Sequence, residues 1–214
     1  MIFFDLDGPI LDVSKRYYNI YRDILIENEC SFLSENIYWL LKRNRVSERI
    51  ILSIANPNLT FGIYNKLRSK RIEDETYLML DCLQLEAAKI LDCMSKNYSL
   101  ILVTLRKSKL QLYKQLESLN IKKYFKDILV SGGSDGSERW QIKYNLIEKY
   151  LKSSSDNCHV IISDTETDIE VGKKLGFTTV AITNGIRTLD LLLKSNPDFI
   201  YSSIISFSCN FKFG

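Results

Sequence analysis

The chain opens Met1-Ile2-Phe3-Phe4-Asp5-Leu6-Asp7-Gly8-Pro9-Ile10-Leu11-Asp12, four apolar residues running straight into an acidic turn. A short continuous apolar run bounded by turn residues reads as a strand buried on both faces, the environment of a parallel sheet. Asp5 and Asp7 are two residues apart, so in extended geometry they project to the same side. Gly8 lets the chain turn sharply, and Pro9 removes a further ladder donor. In an open α/β sheet, the carboxyl end of a buried strand is where ligands bind.

From about Ser14 to Asp81 the pattern is helical. Tyr17, Ile20, Tyr21, Ile24 and Leu25 form one apolar stripe; Ile37, Leu40 and Leu41 form a second; Ile50, Ile51 and Ile54 form a third. Asn56-Pro57-Asn58 interrupts, with Asn58 or Thr60 available to cap a helix carrying Phe61, Tyr64 and Leu67. Strand and helix then alternate. A helix is predicted over about Leu83–Ser95, and buried strands over Tyr98–Thr104, Ile128–Ser131, His159–Ser163 and Thr178–Ile182, with a last strand near Phe199–Tyr201. Gly176 suits a helix C-cap, and the chain after Ser206 shows no readable pattern.

Alternation of this kind predicts an α/β fold: a doubly wound parallel, Rossmann-like sheet built from residues 1–14 and 83–214, with an all-helical domain, 15–82, inserted after the first strand. A length of 214 residues accommodates that combination. A net charge of +3, with cations spread among anions, argues against nucleic acid or an acidic membrane as partner. The five cysteines (Cys30, Cys82, Cys93, Cys158, Cys209) lack metal-ligand spacing, and their odd number without an export signal suits a reducing cytoplasm. Asp5 comes too soon for a secretory apolar region, and no apolar run is long enough to span a bilayer. The expected molecule is therefore a soluble cytoplasmic protein, monomer or homodimer.

Four polar signals end four predicted strands: Asp5 with Asp7, Thr104, the segment Gly132–Lys143, and Asp164 with Asp168. Each alone is weak, since Thr104 and Asp164 are equally good helix caps. Parallel strands bring all four to one edge. There the acidic residues conflict: two like charges about 4 Å apart repel by roughly 4 kcal/mol at an effective dielectric near 20. A divalent cation removes the conflict, and oxygen ligands without Cys or His point to Mg²⁺. The one histidine, His159, falls inside a strand and reads as core.

Asp5-Leu6-Asp7-Gly8, Thr104 after Leu102-Val103, a downstream lysine, and Ser163-Asp164 with Asp168 resemble, in that order, the four motifs of haloacid dehalogenase-like hydrolases. Gly176-Phe177-Thr178-Thr179-Val180-Ala181 is similar to the stretch after the family's fourth motif, and the helical insertion matches its cap in position and type. The resemblance is to the phosphoglycolate phosphatase-like members. It implies that Asp5 is the nucleophile and Asp7 the acid and then the base. It also implies that Thr104 and the N–H of Leu105 hold phosphate oxygens, and that Lys143 neutralises developing charge. Mg²⁺ would be held by Asp5, the backbone carbonyl of Asp7, and Asp164, with Asp168 in support.

The chain departs from the pattern at Pro9 and at Ser163, and Arg139, one turn upstream of Lys143, is an alternative third-motif cation. Lys143 is preferred because Leu146 and Ile147 follow it at the spacing of a helix docking on the sheet. Asp12 has no assigned role beyond a possible cap of the first inserted helix. For the substrate, the basic run Lys42–Arg49 makes Arg43 and Arg45 candidate contacts, and Arg106 is another. The expected activity is Mg²⁺-dependent hydrolysis of a small phosphorylated metabolite, such as phosphoglycolate or a sugar phosphate. The alternatives are phosphoglucomutase-like transfer and a phospho-dependent signalling or scaffold module.

Overall fold

A computed structural model describes residues 1–55, 59–133, 138–152 and 159–210. The chain divides into two compact units, Met1–Asp12 with Leu83–Gly214, and Val13–Cys82.

In chain order the elements are β1 (Ile2–Phe4), β2 (Leu11–Asp12), α1 (Ser14–Glu27), α2 (Glu35–Arg43), α3 (Glu48–Ala55), α4 (Phe61–Arg71), α5 (Glu75–Leu78) and β3 (Cys82–Leu83). Then come α6 (Ala87–Ser95), β4 (Leu100–Thr104), α7 (Lys109–Ser118), β5 (Asp127–Val130), α8 (Arg139–Leu151), β6 (Val160–Ser163), α9 (Glu166–Leu175), β7 (Thr178–Ile182), α10 (Leu189–Lys194), β8 (Phe199–Tyr201) and α11 (Ile204–Asn210).

The larger unit holds a six-stranded sheet among the described residues, in the order β5-β4-β1-β6-β7-β8, with every recorded pairing parallel. This is the doubly wound α/β sheet that the alternation predicts. The chain steps outward from β1 to β5 on one side, then returns beside β1 with β6 and steps outward to β8. That reversal sets the ligand crevice of such sheets at the carboxyl end of β1. β1 is fully buried, flanked by Leu102 and Ile162 at the level of Phe4. Phe3, Ile101, Val103, Ile147, Ile161, Val171 and Phe177 form one apolar cluster on the sheet. His159, half-buried and just before β6, packs against the rings of Phe3 and Phe177.

Local details depart from the sequence reading. Leu83 belongs to β3, which pairs with β2, and the next helix begins only at Ala87. Ile204–Asn210 forms α11, whose Ile204 and Phe207 are buried. Asp12 is exposed in β2 and Val13 precedes α1, so Asp12 is not its cap. Ser108, not Thr104, caps α7, its Oγ accepting from Gln111 N–H at 3.2 Å. Asn58 lies outside the described residues, and Thr60 precedes α4 without a side-chain cap bond.

The helical unit buries α1 through Tyr18, Ile20, Tyr21, Ile24 and Leu25. On α2, however, the buried residue is Tyr38, while Ile37 and Leu40 are exposed. Tyr38 stacks on Tyr21 with ring centroids 4.5 Å apart, and its hydroxyl donates to Glu48 at 3.1 Å. The carboxylate of Glu48 also receives Tyr64 at 2.8 Å and Lys42 at 2.7 Å, beside Arg68 at 3.4 Å. An aromatic ring that can both stack and satisfy a buried carboxylate displaces a plain aliphatic stripe from the core. On α3, likewise, Ile51 and Leu52 face inward and Ile50 and Ile54 outward. Arg16 pairs with Asp81 at 3.1 Å, both side chains buried, joining the first helix to the end of the unit.

No helix among the described residues is long and apolar enough to cross a membrane.

Candidate active site

Strand register assembles the site. Leu102 and Ile162 flank Phe4, so two residues further on Thr104 and Asp164 flank the turn that carries Asp5 and Asp7. Asp5 continues the ladder, its N–H donating to Ile162 O at 3.0 Å, before Gly8 turns the chain with φ of 117°.

Lys143 is delivered by α8, one turn before the buried Ile147. It is 2 % exposed, and its ammonium donates to Asp5 Oδ1 at 2.8 Å and to Asp168 Oδ1. Arg139, the first residue of the same helix, is exposed. Arg139 shares a helix face with Lys143 but lies one turn earlier, at the exposed start of α8, so position along the helix selects Lys143 as the cation beside Asp5. Asp168 projects from the first turn of α9, where its other oxygen accepts from Ser163 Oγ at 2.6 Å and Thr165 Oγ1 at 2.7 Å. The serine that departs from the motif thus orients the carboxylate that holds the lysine.

Asp164 follows β6 directly and is fully buried. One oxygen, Oδ2, accepts from Ile186 N–H; Oδ1 has no hydrogen-bond partner among the described residues. The carboxylate lies between two glycines, because a Cβ added at Gly8 or at Gly185 would overlap it. Close backbone approach is what glycine permits.

Burial raises the Asp5 carboxyl from 3.8 to about 7, against the opposing pull of Lys143. Asp164 is held well above the usual carboxylate range, chiefly by burial and then by the charge of Asp5. Burial alone would depress the Lys143 ammonium, but Asp168 and Asp5 outweigh it and hold the lysine protonated. The pattern is that of a site with more negative charge than its one lysine balances.

Asp7 is only partly buried and is gripped by Arg106, Nε to Oδ2 at 3.0 Å and Nη2 to Oδ1 at 2.6 Å. Arg106 follows Thr104 by two residues; its N–H donates to Thr104 Oγ1 at 3.3 Å and its carbonyl accepts from Ser131 Oγ at 3.0 Å. Its guanidinium, predicted to meet substrate, is here engaged with Asp7. Leu105 lies half-buried between Thr104 and Arg106.

Arg43 ends α2, and Arg45 lies in the following turn with φ of 61°, both in the helical unit. Residues 134–137 of the segment before Lys143 lie outside the described residues. Sequence reasoning missed Gln84 and the Asn184-Gly185 turn. Gln84 Nε2 donates to Gly8 O at 2.9 Å, and Asn184 Nδ2 donates to Gln84 Oε1 at 3.1 Å. The Asn-Gly dipeptide was the only available signal for the turn.

Several solved structures share this architecture. A protein assigned as a phosphatase from Clostridium difficile aligns with a TM-score of 0.78 at 18% identity, covering 97% of this chain and 96% of that one. A predicted phosphoglycolate phosphatase from Haemophilus somnus 129PT aligns at 0.71 and 20%, covering 95% and 94%. The hydrolase YfnB from Bacillus subtilis, solved bound to magnesium, aligns at 0.66 and 16%, covering 95% and 94%. No curated protein matches the sequence. The family model for haloacid dehalogenase-like hydrolases matches residues 2–182, most of the chain, and the protein belongs to that family.

Proposed function

We propose that this hydrolase is a Mg²⁺-dependent phosphatase acting on a small phosphomonoester through a phosphoryl-enzyme formed on Asp5. The observation that carries the reading is the contact of Lys143 with Asp5, at the sheet edge shared with Thr104 and Asp164. A carboxylate held against a buried ammonium, next to donors suited to an anion, is equipped to attack phosphorus.

The donor set fits a small hard cation. Asp164 Oδ1 lacks a partner although buried, and both Asp5 and Asp164 resist ionisation without added positive charge. Among the described residues no three His, Cys, Asp or Glu side chains cluster to hold a metal. Two carboxylates and the Asp7 backbone carbonyl are the protein donors available, and Mg²⁺ commonly keeps several waters in such sites. Bound there, Mg²⁺ would neutralise phosphate and carboxylate charge.

The remaining steps belong to the chain. An Asp5 oxygen forms a bond to phosphorus as the bond to the leaving oxygen breaks, and Asp7 supplies the proton that oxygen needs. Asp7 then takes a proton from water, whose oxygen attacks the phosphoryl group, releasing inorganic phosphate and restoring the Asp5 carboxylate. Thr104 Oγ1 and the Leu105 N–H hold nonbridging oxygens. Lys143 offsets charge that develops near Asp5, and Asp168 keeps Lys143 in place. Arg106 must release Asp7 for proton transfer, and a second polar or anionic group on the substrate is its natural alternative partner. Arg43 and Arg45 are the candidate contacts from the helical unit. Phosphoglycolate and sugar phosphates meet that description.

The test is a screen of small phosphomonoesters with Mg²⁺ and with chelator, alongside Asp5→Asn. Turnover that needs Mg²⁺ and is lost in the variant is expected. Undiminished turnover by Asp5→Asn rejects the nucleophile assignment.

A further inference from the structure

Asp164 has an unusual enclosure. Its carboxylate is walled by two backbone segments, the turn at Gly8 and the turn at Gly185, from loops that follow β1 and β7. Neither wall has a Cβ to meet the other through packing. One side chain spans them. Gln84 donates from Nε2 to Gly8 O at 2.9 Å, and its Oε1 accepts from Nδ2 of Asn184, the neighbour of Gly185, at 3.1 Å. The backbone of Gln84 is itself pinned, its N–H donating to Ile10 O at 2.8 Å.

We infer that Gln84 is a positioning residue for Asp164, its amide bridging Gly8 and Asn184 so that the two glycine walls hold Oδ1 in place to receive a divalent cation. The inference rests on the metal-dependent reading given above. An amide suits the task because it donates at one end and accepts at the other. Leucine fills the same space and does neither. Glutamate keeps the acceptor toward Asn184 but cannot donate to Gly8 O. The bridge also fixes the carbonyl of Gly8, one residue beyond Asp7, whose own carbonyl is the proposed third protein donor.

Outer groups that orient a metal ligand are commonly worth about 10–100-fold in metal affinity. Titration calorimetry of the full chain with Mg²⁺ tests the inference, using wild type, Gln84→Leu, Gln84→Glu and Asn184→Ala. Gln84→Leu should bind Mg²⁺ about 10–100-fold more weakly while the urea midpoint of the metal-free protein stays close to wild type. Its turnover should recover as Mg²⁺ is raised, a rescue that a merely structural defect would not show. Gln84→Glu should resemble Gln84→Leu, because the lost donor is the one toward Gly8. Asn184→Ala breaks the bridge from the opposite wall, and decides the matter if the Gln84 variants fail to fold: weaker Mg²⁺ binding supports the bridge. Wild-type affinity in Gln84→Leu, or in Asn184→Ala where that variant decides, overturns the inference and leaves the metal-dependent reading standing. Absence of Mg²⁺ binding in wild type overturns both.

Discussion

Arg106 holds Asp7 through a two-point contact, 3.0 Å from Nε and 2.6 Å from Nη2, so the residue proposed to move protons is engaged by a guanidinium that a bound substrate must draw away. Such a fork fits a carboxylate as lysine's single ammonium cannot. Arg106→Ala should lower kcat/KM for a phosphomonoester that carries a second anionic group about 10–100-fold, and Arg106→Lys should recover little of it. Steady-state kinetics decide; full activity in Arg106→Lys contradicts the role.

Lys143 sits between Asp5 and Asp168 with almost no exposure. Removing one partner of a buried ion pair leaves uncompensated charge, a loss of about 3–5 kcal/mol. Lys143→Met should therefore abolish turnover and lower the free energy of urea unfolding by that order. A variant of wild-type stability would show that the contact carries no weight in the fold.

The raised Asp5 carboxyl predicts how metal-free stability depends on pH. The unfolded carboxyl releases its proton near 3.8, the folded one near 7. Between those values the folded state binds more protons, so stability falls as pH rises through the window and the Asp5 contribution levels off above it. Asp164, also raised, acts in the same direction. Thermal unfolding in chelator from pH 4 to pH 8 should show the decline, Asp5→Asn should flatten it, and Mg²⁺ at pH 8 should raise the midpoint.

In the helical unit, Arg16 and Asp81 form a buried pair at 3.1 Å, and Arg16 Nη1 also donates to Ile72 O at 3.2 Å. Asp81→Ala strands the guanidinium and should destabilise this unit by about 3–5 kcal/mol. Hydrogen exchange in α1 and α4 should accelerate while exchange in β1 and β4 stays slow. Unchanged exchange in α1 would count against the pair.

What the sequence discloses depends on how local the cause is. The ends of β1, β4 and β6 were legible because apolar runs meet Asp5, Thr104 and Asp164 at fixed positions, and parallel pairing does the rest. The sequence favours Lys143 over Arg139 because Leu146 and Ile147 follow it, but the two cations lie one turn apart on the same helix face, and the contact with Asp5 needed coordinates. The face of α2 was not legible, since the choice of Tyr38 over Ile37 and Leu40 depends on Tyr21 and Glu48, which periodicity does not see. Gln84 was hidden for a stronger reason. Its partner is a backbone carbonyl 76 positions away, and any residue type supplies a carbonyl. Arg106 stood out as a cation beside Thr104, but its pairing with Asp7 spans 99 positions and needed coordinates.

The central claim is that Asp5 carries the phosphoryl group during turnover. Acid quenching of the Mg²⁺-loaded enzyme with a substrate from the phosphomonoester screen, followed by peptide mass spectrometry, tests it directly. A phosphorylated peptide containing Asp5, absent from Asp5→Asn and lost when the quenched sample is made alkaline, is the predicted result. Wild-type turnover with no label on Asp5, and with Asp5→Asn equally active, would contradict it.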